Sequence, residues 1–231
     1  MEYPDFTLTN KRTVITGASK GIGRGLALAM AHAGAEVALI ARSEADLNRV
    51  VEEIEAEGGR ARAYGADLRK TAEIRPLFDR IGGDLGGIDI LVNNAGLGKP
   101  IPSLAIDEDY WEEMISLNLK AAFFCSQAAA RWMLEAGTGR IINMSSQASV
   151  DAIAEEAIYS TSKGGLNMMT KALALEWGPQ GVTVNAVGPT FVRTPGTAER
   201  LDTPEFRDAT LAKIPRSEEH TSELQSLLII S

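Results

Sequence analysis

Apolar side chains recur along the chain in two rhythms. Short runs dense in apolar and β-branched residues stand at positions 13–16, 36–40, 61–65, 88–92, 140–143 and 183–187, and such runs read as strands. Between them, longer stretches carry an apolar residue every third or fourth position. They predict helices over 22–33, 44–57, 71–81, 107–116, 118–136 and 157–177. Leu47, Val50, Val51 and Ile54 share one face of the second helix, and Gly58–Gly59 follows its end. Gly34 stops the first helix, and Pro76 makes an irregularity inside the third. The run at 88–92 is apolar on both faces, as a buried parallel strand requires. Strand and helix alternating six times imply parallel strands joined by right-handed crossovers, hence a single-domain, doubly wound α/β sheet. The sequence shows no repeat and no domain linker.

Composition narrows the classes. The chain has 231 residues, 45% of them hydrophobic, enough for one self-sufficient core. Its net charge of −8 counts against a nucleic-acid partner, because it would repel phosphates. The single cysteine, Cys125, excludes a disulfide framework and any multi-cysteine metal site, and suits a reducing compartment. Two histidines, His32 and His220, leave no histidine-rich metal site, so no metal is expected. Residues 1–8 lack the basic and apolar regions of a leader peptide, and no apolar run approaches a membrane span. The expectation is a soluble, cytoplasmic protein with no membrane partner.

The segment TGASKGIG, residues 16–23, links the first strand to the first helix. Gly17, Gly21 and Gly23 permit a tight turn and let backbone approach a pyrophosphate closely. The helix start adds free N–H groups and a positive dipole end. At the first strand–helix crossover this reads as a nucleotide site.

That loop resembles the cofactor loop of the short-chain dehydrogenase/reductase family. NNAG at 93–96 resembles the family's second motif. Asn118, Ser146, Tyr159 and Lys163 fall in the order and spacing of its catalytic tetrad, and VNAVGPTFVRT at 184–194 resembles its nicotinamide-holding segment. The likeness covers residues 10–215, and within the family it is similar to sugar and gluconate dehydrogenases and to 3-oxoacyl-carrier-protein reductases. It implies a Rossmann-type sheet, a homodimeric or homotetrameric assembly and a nicotinamide cofactor. The implied cofactor contacts are Gly17, Ser19, Lys20, Gly21, Ile22, Gly23, Arg42, Asp67, Leu68, Asn94, Ala95, Gly96, Tyr159, Lys163, Pro189, Val192 and Thr194. Two departures stand out. Pro189–Thr190 replaces the family's Pro-Gly. The family also continues for about 40 further residues with a seventh strand, so the sheet is expected to lack its last strand through truncation.

The implied reaction passes a hydride between nicotinamide and a carbonyl or secondary alcohol. Tyr159 and Lys163, four apart, share a helix face, and an ammonium beside a phenol lowers its pKa. By resemblance Lys163 also binds the ribose and Ser146 polarises the substrate oxygen. Family spacing selects Ser146 over Ser145. Asn118 is implied to sit near a helix irregularity and hold a proton-relaying water. Ala41 stands where NAD-preferring members carry an acid, and Arg42 follows it. With Lys20 these favour NADP(H) over NAD(H). Gln147, Asp151, Glu155 and Glu156 suggest a small-molecule substrate such as a sugar, polyol or aldonate, with 3-oxoacyl-carrier-protein reduction as the alternative. A non-catalytic cofactor-binding regulator or an inactive truncated product is the reading from another class. Cys125 reads as a core or interface residue and His32 as structural. The apolar helix at 121–134 reads equally as a subunit contact or as packing on the sheet.

The pattern breaks at Arg216. RSEEHTSELQS, residues 216–226, resembles the translation of a sequencing adapter, and 227–230 is a short apolar run. An amphipathic helix bearing Leu224, Leu227 and Leu228 is the other reading. The expected division is a catalytic dinucleotide-binding domain over 1–215 and a non-native tail over 216–231, too short in its apolar run to cover the sheet edge.

Overall fold

The computed structural model describes residues 6–212 and the backbone of residues 227–230. Six parallel strands form the sheet: β1 Arg12–Thr16, β2 Glu36–Ala41, β3 Arg60–Gly65, β4 Ile90–Asn93, β5 Gly139–Met144 and β6 Val182–Pro189. Their order is β3-β2-β1-β4-β5-β6, so the winding reverses between β1 and β4. In this arrangement ligands bind beyond the carboxyl ends of the strands at the reversal.

Helices α1 Gly21–His32, α2 Glu44–Ala56 and α3 Thr71–Leu85 make the first crossovers. Ser43 caps α2 by accepting the Asp46 N–H at 3.3 Å, and Glu44 and Asp46 complement its dipole. Helix α3 runs past the predicted end at 81 to Gly86, which adopts φ +75°. Pro76 lies on its exposed face, where water can reach the carbonyl freed by the missing N–H, and does not stop it. Helices α4 Glu108–Ile115 and α5 Ala122–Ala136 are joined by a π-turn over Ser116–Ala121. The long helix α6 spans Ala157–Trp177, as its periodicity predicts.

The sheet is covered on both faces. Phe78, Ile81, Met133 and Trp177 pack on one side, and Leu39, Leu47, Val50 and Ile54 on the other. Cys125 lies fully inside the first layer, where burial pushes its thiol pKa up. Between β4 and β5 a polar seam is sealed in: Asn93 Nδ2 donates to Asn143 Oδ1 at 2.9 Å and Ser126 Oγ at 2.8 Å.

Beyond β6 come two short helices without sequence forewarning, α7 Ala198–Asp202 and α8 Pro204–Leu211. The backbone of β7, Leu227–Ile230, then pairs antiparallel with β6, from Ala186↔Ile230 to Pro189↔Leu227. This corrects the expectation of a bare edge after β6 over Ala186–Pro189. An edge strand needs a ladder on one side only, so four residues suffice without period-2 alternation. The adapter-like stretch 216–226 and residues 1–5, on which a leader was judged absent, lie outside the described residues. Among the described residues no helix is long and apolar enough to cross a membrane.

Candidate active site

A cavity of about 940 Å³ follows the carboxyl ends of the strands. Of the tetrad and cofactor-contact residues expected from sequence, all but Gly23 and Asn118 line it, and those two stand immediately behind.

The glycine loop is built by close approach. Gly17 has φ +67°, and a Cβ there would lie 2.9 Å from Ala95 Cα. A Cβ on Gly23 would collide with the Gly17 carbonyl and Asn94 Nδ2. Asn94 acts as a brace, donating from Nδ2 to the carbonyls of Thr16 at 3.0 Å and Gly17 at 3.2 Å. Thr16 Oγ1 accepts the N–H groups of Asn94 and Ala95, each at 2.9 Å, and donates to Val92 O at 3.4 Å. The start of α1 has no side-chain cap and no acidic residue in its first turn, unlike α2. Its N–H groups open toward the cavity, so this end suits a pyrophosphate.

At the far end of that loop Lys20 and Arg42 are exposed, and among the described residues neither forms an ion pair. Arg69, which sequence reasoning passed over, forks onto Asp67 at 2.7 and 3.0 Å and reaches Glu113 at 2.8 Å. Its hydrogen bonds hold the Asp67 carboxyl below the usual carboxylate range.

At the opposite end the tetrad converges from three elements. Lys163, on α6, is 5% exposed and donates from Nζ to Met144 O at 2.7 Å. Burial lowers its pKa to about 8. Tyr159, one turn earlier, has its ring centroid 5.7 Å from that Nζ. Burial is the largest influence on the phenol and raises its pKa, a hydrogen bond with Ser146 lowers it, and the charge of Glu156 raises it; the balance is upward.

Ser146 follows β5 and caps the short turn Gln147–Ser149, its Oγ accepting the Ala148 N–H at 3.1 Å. Its neighbour Ser145 is buried and donates to Asn167 Oδ1 at 2.6 Å. Asn167 in turn donates to Ser149 Oγ at 2.6 Å, and Ser149 donates to Ser146 O at 2.6 Å. Asn118 sits inside the π-turn and is buried. Its Oδ1 accepts the Leu97 N–H at 2.9 Å, and its Nδ2 donates to Leu97 O at 2.8 Å and Ser162 Oγ at 3.1 Å. Gly96 makes room for this group: a Cβ there would stand 3.2 Å from Asn118 Oδ1 and 3.6 Å from Lys163 Nζ.

Of the polar residues suggested for substrate contact, Gln147 and Glu156 line the cavity, whereas Asp151 and Glu155 do not. The structure adds Arg200, not read from sequence, and Phe191, which the sequence placed only within the 184–194 segment. Arg200 belongs to α7, whose short segment carries no clear helical period. His32 is exposed at the end of α1. Among the described residues no three His, Cys, Asp or Glu side chains are grouped to hold a metal ion.

The chain is similar to known proteins over most of its length. A family model described as short chain dehydrogenase matches residues 11–205. The chain is 38% identical over 212 residues to the 2-dehydro-3-deoxy-D-gluconate 5-dehydrogenase of Escherichia coli (strain K12), covering 91% of this chain and 83% of that one. It is 36% identical over 190 residues to the D-threitol dehydrogenase of Mycolicibacterium smegmatis, covering 82% and 73%. The crystal structure of a gluconate 5-dehydrogenase from Burkholderia cenocepacia J2315 in complex with NADP and tartrate superimposes with a TM-score of 0.86. Its identity is 33%, over 90% of this chain and 82% of that chain.

Proposed function

We infer the reaction from one premise: the chain belongs to the short-chain dehydrogenase family. It is an oxidoreductase of alcohol groups. Our specific reading is an NADP(H)-dependent enzyme that interconverts a carbonyl and a secondary alcohol on a small hydroxylated substrate. The observation that carries it is spatial: Ser146, Tyr159 and Lys163 meet at one end of a cavity whose other end is the glycine loop.

The loop and the open start of α1 would hold the pyrophosphate, and Lys163, Pro189, Val192 and Thr194 the nicotinamide half. Bound NADP(H) supplies or accepts the hydride. Tyr159 gives its phenolic proton to the carbonyl oxygen in reduction and recovers it in oxidation. Ser146 hydrogen-bonds the same oxygen and stabilises the phenolate. Asn118 fixes the 96–98 loop opposite Lys163. Lys20 and Arg42, free of ion pairs among the described residues, suit a 2′-phosphate, and the relative in complex with NADP is consistent with that choice. Trp111, Phe123, Met168 and Leu175 are exposed on α4, α5 and α6; they support a homodimer or homotetramer. Ala128, Ala129, Ala130 and Met133 instead serve the chain's own core.

Replacing Tyr159 with Phe tests the reading. General acid–base help is worth about 10²–10⁴-fold, so turnover should fall by that factor while NADPH affinity, followed by fluorescence, stays within about twofold. A variant keeping more than about half of wild-type kcat would overturn the assignment.

A further inference from the structure

Proton and hydride transfer leave a half-buried charge pair at the substrate end of the cavity unused. Glu156 directly precedes α6, and its side chain is only 11% exposed. One of its oxygens takes Arg200 Nη1 at 2.9 Å. The Arg200 guanidinium lies 4.2 Å from the centre of the Phe206 ring and 5.6 Å from that of Phe191. Those two rings meet edge to face at 5.0 Å. The rings fix Arg200 from the α7–α8 side, and Arg200 fixes Glu156. Both charges line the same cavity as Tyr159, which follows Glu156 by one helical turn.

The backbone beside Glu156 is strained to achieve this. Glu155 has φ +63°, a left-handed conformation uncommon for a residue with a side chain. Its carbonyl is held by the Ile101 N–H at 2.8 Å. Such strain persists where the surroundings over-determine it, often at ligand sites. Here the turn brings the Glu156 carboxylate into the cavity and leaves Glu155 itself outside.

Resting on the hydride-transfer reading above, we propose that Glu156 and Arg200 form a hydroxyl clamp that selects neutral polyols and their keto forms over polyhydroxy acids of similar size. An ionised carboxylate is acceptor-only and has several lone-pair directions. One is used by Arg200, and the others can accept substrate O–H groups. The guanidinium N–H groups not spent on Glu156 can donate to a neighbouring hydroxyl oxygen. A vicinal diol offers both partners at once. The pair is neutral overall, so it offers no net attraction to an anion. A substrate carboxylate would meet the like charge of Glu156.

The test uses the full chain with NADP⁺ and three alcohols: xylitol, gluconate and 2-butanol. A site built to bond hydroxyls discriminates strongly against analogues lacking them. In the wild type kcat/KM for xylitol should exceed that for gluconate by about tenfold or more. Glu156→Gln should lower the xylitol-to-2-butanol ratio of kcat/KM by about tenfold, chiefly through KM, and narrow the gap to gluconate. Arg200→Gln should act in the same direction. NADPH affinity and melting temperature report whether each variant is folded, and the isosteric Glu156→Gln decides alone if the Arg200 variant is not. Gluconate equal to or better than xylitol in the wild type overturns the clamp. So does a ratio that moves less than about threefold in Glu156→Gln. A protein that oxidises 2-butanol but not xylitol overturns the clamp and leaves the hydride-transfer reading standing. Failure with all three, and with a broad carbonyl panel, overturns both.

Discussion

Replacing Lys163 with Met should stabilise the protein while silencing it. The ammonium is buried, and burial lowers its pKa from 10.5 to about 8. At about 1.4 kcal/mol for each tenfold change in acidity, holding it charged costs about 3 kcal/mol at neutral pH. Methionine fills similar volume without the charge. The substitution forfeits the bond to Met144 O, but that residue lines the cavity, where water can replace the lost donor. The loss is therefore about 1 kcal/mol, leaving a gain of about 2 kcal/mol. For a chain of this size that raises Tm by about 4–8 °C. The sign with pH follows from the lowered pKa. Below about pH 8 the lysine is charged in both states and the full penalty applies. Between about 8 and 10.5 the unfolded chain binds more protons, so wild-type stability climbs with pH and the advantage of Met shrinks. Thermal melts of both proteins from pH 7 to pH 10, taken as a difference, read this out and cancel the other titrating groups. A Met variant that melts no higher than wild type at pH 7, or a gap that ignores pH, would refute the reasoning. Activity should be lost at every pH.

Two further predictions concern proton and cofactor. Ser146 lowers and Glu156 raises the Tyr159 pKa. In alcohol oxidation, which needs the phenolate, Ser146→Ala should therefore shift the acidic limb of the kcat profile to higher pH and Glu156→Gln to lower pH; shifts in the same direction would contradict the assignment. Ala41→Asp combined with Arg42→Ser should turn preference from NADP(H) toward NAD(H), through a lost cation and a new repulsion of the 2′-phosphate. An unmutated protein with equal kcat/KM for NADPH and NADH would sink that idea.

The parallel sheet and its helices were legible because each element carries a clean period. The limits of α3 were less so, since Pro76 breaks a helix only where its missing N–H and its ring cannot be accommodated. The glycine loop and the residues at 118, 146, 159 and 163 announced themselves by type and spacing. Their supports did not: Asn167 and Ser149 look like ordinary polar residues until the fold brings helix and loop together. Arg200 was hidden for a different reason. Its segment has only five helical residues, and Thr203 and Pro204 interrupt any longer rhythm. The pairing of residues 227–230 with β6 depends on backbone groups, which side-chain patterning does not report.

Thr16 deserves to be weighed as a constraint on drift. A hydroxyl has one proton and two acceptor sites, and here all three are committed: to Val92 O and to the N–H groups of Asn94 and Ala95. Valine has the right shape but would strand the Ala95 N–H, at about 1–3 kcal/mol, and leave the Asn94 N–H only its bond to Val92 O at 3.1 Å. Serine keeps the chemistry and gives up only a methyl group. Substitution at this position is therefore filtered by valence rather than by volume, the reverse of the rule for its apolar strand neighbours Val14 and Ile15. Lineages can repack the sheet around it freely, yet the oxygen that ties the two cofactor-side loops together has a single economical replacement.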